Sequence, residues 1–195
     1  MLGLVDNKKV VIVGIPGVGK TSLVTKLVEL ITQQSKTVSV HSFGTVMLEE
    51  AMKNGIKDRD ELRTLPIEKQ QELQKMAAED ISNMEDDVIL IDTHAFISTK
   101  SGFYPGLPNH VIQIMQPTNF IAITASPDEI HDRRMKDTTR NRDPVSIEDI
   151  KKELAVQDAM LSSCSVLSGS PMKVVFNHEG NVEEAAKSVL GAIGL

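Results

Sequence analysis

Apolar residues gather along the chain in five short runs, at 9–13, 37–41, 87–91, 119–124 and 172–176. Each is short and apolar, and most are rich in β-branched residues, the pattern of strands buried on both faces. Between the runs, apolar positions recur at three- and four-residue spacing, which predicts helices. Strands alternating with helices make a parallel sheet covered on both sides, an α/β fold. Two helix starts are explicit. Ser126-Pro127-Asp128-Glu129 supplies an N-cap, a proline at the first helical position and an acid three residues on. Ser146-Ile147-Glu148-Asp149 sets its acids where the helix dipole favours them. Over about 181–193, Val182, Ala185, Ala186, Val189, Ala192 and Ile193 form one apolar stripe. The stretch 43–86 is longer than a simple crossover needs and carries two helical patterns, near 44–54 and 66–84. Its length fits equally a small moving subdomain and a crossover packed rigidly on the core. No repeat, low-complexity tract or linker interrupts the 195 residues, which predicts a single domain, 1–195.

The first run leads into Gly14-Ile15-Pro16-Gly17-Val18-Gly19-Lys20-Thr21-Ser22, a full match to G-x-x-x-x-G-K-[ST]. The glycines let the backbone turn sharply and bring successive amides to a polyphosphate. Lys20 supplies charge for the β- and γ-phosphates, and the Thr21 hydroxyl is a ligand for Mg²⁺. Leu23, Leu27, Leu30 and Ile31 share one helical face, so the loop opens a helix whose N-terminus points at the phosphates. This pattern predicts a site for a nucleoside triphosphate. The third run ends in Ile89-Leu90-Ile91-Asp92-Thr93-His94, an acid at the carboxyl end of a strand, where it serves the Mg²⁺ shell. His94 is read as a positioning or structural residue, because a phosphate acceptor is already ionised and needs no base. Gly102-Phe103-Tyr104-Pro105-Gly106-Leu107-Pro108 reads as a loop, fit either for packing or for the wall of a second nucleotide site.

Acidic residues outnumber basic ones, 27 to 21, so no global positive field recruits nucleic acid. Against that background the six arginines fall in only two places, Arg59 with Arg63, and Arg133, Arg134, Arg140 and Arg142. A guanidinium fork binds phosphate oxygens in pairs, so this segregation points to phosphates gripped from two further directions. Surface ion pairs with Asp58, Asp60, Glu61, Asp137 and Asp143 are the competing explanation, strongest for the first pair. Cys164 is the single cysteine, set among serines with no neighbouring base, and reads as structural. No signal peptide or membrane span is visible, and a cytoplasmic location is expected.

Taken together, these residues resemble the archaeal type of adenylate kinase over nearly the whole chain. The resemblance rests on the phosphate loop, Phe43-Gly44-Thr45, Arg59-Asp60 with Arg63, Asp92-Thr93-His94, and Gly102 with Tyr104-Pro105-Gly106-Leu107-Pro108. It continues in Arg133-Arg134, Asp137, Arg140-x-Arg142-Asp143 and Asn177-x-Glu179-Gly180. It implies a P-loop NTPase fold of the nucleoside-monophosphate-kinase kind with five parallel strands. It implies the reaction ATP + AMP ⇌ 2 ADP with Mg²⁺, an AMP-binding insertion over about 43–86, and a short lid over about 133–145. By the same resemblance, residues 14–22 hold ATP, Thr21 and Asp92 serve the metal, and Phe43, Arg59, Arg63 and Gly106 serve AMP. Lys20, Arg134, Arg140 and Arg142 would act on the transferring group. Members of the family are typically homotrimers. A kinase of the same fold for another nucleoside monophosphate or small metabolite is the nearest alternative. A non-catalytic nucleotide-binding switch is a further one, although the chain lacks Asn-Lys-x-Asp and has no glycine after Asp92.

Overall fold

The computed structural model describes residues 7–99, 102–137 and 145–195, the side chain of Arg63 excepted. Five parallel strands form the main sheet: β1 (Lys8–Val13), β2 (Val38–Ser42), β3 (Val88–Thr93), β6 (Asn119–Thr124) and β7 (Met172–Phe176). Their spatial order is β2-β3-β1-β6-β7, so from the central β1 the chain passes to the edge strand β2, returns inward as β3, then crosses to β6 and β7 on the other side. Open α/β sheets collect ligands at the carboxyl ends of the strands flanking such a reversal.

The continuous apolar runs are explained by what covers the sheet. Val10 and Ile12 of β1, Val88 and Leu90 of β3, and Ile121 and Ile123 of β6 point into one core cluster. The alternate residues Val11, Val13, Ile89, Ile91, Phe120 and Ala122 point into the other. On the first face lie α1 (Lys20–Gln33) and α8 (Val182–Ile193), which pack against each other. The second face is covered by α2 (Phe43–Lys53), α4 (Ile67–Ser82), α5 (Asn109–Met115) and the outer half of α7 (Ile147–Ser168). Helix α6 (Pro127–Lys136) packs on α7. Both caps read from the sequence are present as capping boxes, Ser126 with Glu129 and Ser146 with Asp149. At its far end α7 stops at Gly169, which takes the left-handed conformation. Cys164 is buried there, its thiol donating to the Leu107 carbonyl at 3.8 Å, and burial pushes its pKa up.

Within 43–86, α2 and α4 contribute Phe43, Val46, Met47, Ala51, Leu73, Ala77, Ala78 and Ile81 to the same core as the sheet. The short α3 (Arg59–Thr64), capped by Asp58 and absent from the sequence reading, contacts α2 and packs Leu62 against the edge of that core. A second feature differs from the sequence reading. The segment read as a loop after the third strand pairs as an antiparallel ladder, β4 (Phe96–Thr99) with β5 (Gly102–Pro105). Phe96 and Phe103 meet edge to face with centroids 5.0 Å apart, and Lys152 of α7 sits over Phe103. Each strand has four residues, three of them exposed, so no apolar run announces the ladder.

The ladder returns to β3 through Gly106, whose amide donates to the Ala95 carbonyl at 2.9 Å. A Cβ at Gly106 would lie 1.9 Å from the His94 carbonyl oxygen, a backbone atom with nowhere to go. Gly106→Ala is therefore expected to destabilise the protein by about 2 kcal/mol or more, read as a lowered urea midpoint with an unchanged slope.

Candidate functional site

β1 ends at Val13, which lies in register with Thr93 of β3 on one side and Ala122 of β6 on the other. The phosphate loop thus leaves the sheet at its centre. Ile15 and Val18 are sunk into the core, while Gly17 (φ 93°) and Gly19 (φ 80°) take the left-handed turns that other residues resist. A Cβ on Gly14 would come within 2.7 Å of the Val18 side chain, so the spacing of the motif is also a packing requirement.

Lys20 opens α1 and reaches across to β3. Its ammonium pairs with the Asp92 carboxylate and donates to the Thr93 carbonyl at 2.9 Å. Thr21 and Ser22, on the first turn, are exposed. The hydroxyl of Thr21 and the carboxylate of Asp92 are hard oxygen donors, the type Mg²⁺ prefers, and it takes few protein ligands when phosphates supply others. The donor set therefore fits that ion.

Helix N-termini divide in a way that bears on anions. Among the described helices of eight or more residues, α1 and α2 alone start with neither a side-chain cap nor an acid in the first turn. Their exposed amide ends stand at the carboxyl ends of β1 and β2, where partial positive charge is left for a ligand. Beside the start of α2, Arg59 donates to the Thr45 hydroxyl at 3.0 Å and is otherwise exposed. Phe43 is buried in the core, and Gly106 is locked against the β3 end. Arg63 lies on α3.

The second arginine run divides. Arg133 and Arg134 lie in the last turn of α6 and not in a loop, whereas Arg140, Arg142 and Asp143 fall outside the described residues. Arg134 is largely buried. Its Nε donates to the Pro16 carbonyl at 2.7 Å and a terminal nitrogen to Glu153 of α7 at 2.7 Å. Arg133 donates to the carbonyls of Gly17, at 3.4 Å, and Asn177, at 3.0 Å, with Glu129 3.7 Å away. Both guanidinium groups thus brace the phosphate loop from behind, a role the sequence reading did not assign. Asn177, just past β7, completes this shell by donating to the Val18 carbonyl at 2.9 Å. The sequence offers one signal for it: an asparagine closing an apolar strand whose buried side chain needs partners.

Relatives and solved structures bear on what this arrangement is. A family model described as an AAA domain matches residues 13–151. A curated protein named adenylate kinase from Methanocaldococcus jannaschii is 38% identical over 94% of this chain and 97% of its own length. Proteins of the same name from Sulfurisphaera tokodaii and Saccharolobus solfataricus are 40% and 39% identical, again over 94% of this chain and 97% of theirs. Among solved structures, a shikimate kinase from Acinetobacter baumannii superposes with a TM-score of 0.56 at 12% identity, covering 96% of this chain and 94% of that one. At that identity the likeness shows a shared fold.

Glu129 ties α6 to the loop after β7. The amide of Glu179, then that of Ser126, and also the Arg133 guanidinium hold its carboxyl at about 2, against an ordinary 4.5. A depressed acid contributes stability above its unfolded value and loses it as pH falls through the folded one. Glu129→Gln is therefore expected to be less stable than the parent at pH 6, the gap closing as pH falls from about 4.5 toward 2. Urea unfolding at pH 6, 4 and 3 measures it.

Proposed function

The chain belongs to the adenylate kinase family, and from that membership we propose how its residues carry phosphate from Mg-ATP to AMP to give two ADP. The single observation that carries the reading is the pair of open helix ends, α1 behind the phosphate loop and α2 beside Arg59, at the carboxyl ends of β1 and β2, the two strands that flank β3 in one sheet. Two polyanions need two such ends.

In this reading residues 14–22 wrap the triphosphate, with the loop amides and Lys20 on the β- and γ-phosphates. Lys20 exchanges its partner Asp92 for phosphate oxygens when the nucleotide arrives, which frees the carboxylate. Thr21 and Asp92 would hold Mg²⁺, which would supply charge neutralisation to the phosphate chain. Arg59 and Arg63 hold the AMP phosphate against the start of α2, with Phe43 and Gly106 shaping that side of the pocket. An ionised oxygen of AMP attacks the γ-phosphorus as the bond to the bridging oxygen breaks, so the step needs no general base. Arg140 and Arg142, on the proposed lid, stabilise charge on the transferring group, with Arg134 steadying the loop beneath it. Positioning and electrostatics carry the rate. The segment 43–86 supplies the AMP side and 133–145 the closure that keeps water out.

Family resemblance also supports a homotrimer in the cytoplasm, checked by a light-scattering mass three times that of the chain. Among the described residues no helix is long and apolar enough to cross a membrane.

Supplying Mg-ATP with each nucleoside monophosphate in turn tests the assignment directly: AMP is expected to drive ADP formation far above every other acceptor. Equal rates with CMP or dTMP would assign a different kinase, and slow hydrolysis indifferent to acceptor would assign a switch. Lys20→Ala and Arg140→Ala are each expected to lower kcat by about a hundredfold or more in a folded protein. Near-normal turnover in either would remove that residue from the mechanism.

A further inference from the structure

We propose that Asn177 is a positioning residue for the triphosphate site, the centre of a donor shell that turns the phosphate-loop amides toward the ligand. The inference rests on the adenylate kinase reading for its kinetic consequence, but its geometry is independent of the acceptor.

Four consecutive loop carbonyls accept from donors outside the loop. Arg134 Nε bonds Pro16, Arg133 bonds Gly17, and Asn177 Nδ2 bonds Val18 at 2.9 Å and Gly19 at 3.3 Å. In a trans peptide the carbonyl and the following N–H point in opposite directions. Holding carbonyls 16 to 19 toward α6 and the end of β7 therefore faces the N–H groups of Gly17, Gly19 and Lys20 the other way, a concave array suited to anionic oxygens, while that of Val18 turns to the Ile15 carbonyl. The loop does little of this itself. Its own backbone bonding is a 3.4 Å contact from Val18 to Ile15 and the first helical bond, Leu23 to Gly19.

Asn177 is suited to the task by its anchoring. It is 5% exposed, its own amide donates to the Thr124 carbonyl at 2.8 Å, and its carbonyl accepts from Arg133 at 3.0 Å. The side-chain amide faces two carbonyl oxygens and so must present its NH₂ group. Gly19 makes room for that approach, because a Cβ there would stand 2.4 Å from Asn177 Nδ2. The second glycine of the motif thus answers to a residue 158 positions away as well as to its own φ.

Asn177→Asp tests this with almost no change of shape. It removes both donors and sets a carboxylate against two carbonyls, which is expected to undo the orientation of the amides. Inorganic tripolyphosphate, which engages the loop without a base or an acceptor, should bind roughly 10- to 100-fold more weakly by titration calorimetry. In kinetics the KM for ATP should rise by a similar factor while the KM for AMP stays within about twofold, a split that general loosening of the fold does not produce. Should the aspartate variant fail to fold, Asn177→Ala carries the test, with the same split expected. Parental tripolyphosphate affinity, or KM values for ATP and AMP that rise together, in a folded variant would overturn the proposal. A parent protein that bound tripolyphosphate but ignored AMP would overturn the family mechanism while leaving this test intact.

Discussion

A loop that presents backbone amides to a polyanion has to place its carbonyls somewhere else, and the rest of this structure follows from that demand. Each peptide unit turned toward the ligand turns an acceptor the other way, into protein, where an unpaired carbonyl is costly. Here the acceptors are met by two guanidinium groups on the last turn of α6 and by one asparagine beyond β7. Those donors lie more than a hundred residues from the loop, and only the strand order β1-β6-β7 brings them beside it. The capping box that starts α6 belongs to the same arrangement, since Glu129 also receives the amide of Glu179 and stands by Arg133.

Charge is distributed with comparable economy on the ligand side. Helices α6 and α7 neutralise their N-termini with serine caps and early acids. Helices α1 and α2, which start at the carboxyl ends of β1 and β2, leave theirs open. Lys20 and Asp92 meanwhile satisfy each other across the β1–β3 step. That pairing avoids burying a lone ammonium, and it couples two ligand groups: whatever draws the ammonium away leaves a carboxylate available to a cation.

The sheet, its helices and the phosphate loop were legible because each obeys a local rule. Apolar runs of five or six residues give strands buried on both faces, and Ser126 and Ser146 mark helix starts through their own side chains. The five strands lie within one or two residues of their predicted bounds; β3 runs two residues further, so that Asp92 sits inside the ladder beside Ile12. What escaped notice depends on contacts between distant segments. β4 and β5 hold together through Phe96 and Phe103, and α3 is one short capped turn, so neither shows a periodicity. Asn177 looked like one polar residue in a shared motif, since nothing in its neighbourhood names Val18 as its partner.

The arginines show what residue type alone leaves open. Their confinement to two places pointed to phosphate, on the ground that a solvated face would use lysine instead. The premise holds for Arg133 and Arg134: neither is a solvated surface charge, and each spreads its donors over more than one acceptor. In this structure their acceptors are carbonyl oxygens of the protein, together with Glu153. A planar fork with several fixed donors suits two backbone carbonyls as well as it suits a phosphate. Segregated arginine thus marks a place where several oxygens converge, and the fold decides whose they are. At Arg59, exposed beside an uncapped helix end with one bond to Thr45, most of the fork is still open to a ligand. At Arg134 the Nε and one terminal nitrogen are already engaged, which makes that residue part of the wall that shapes the anion site.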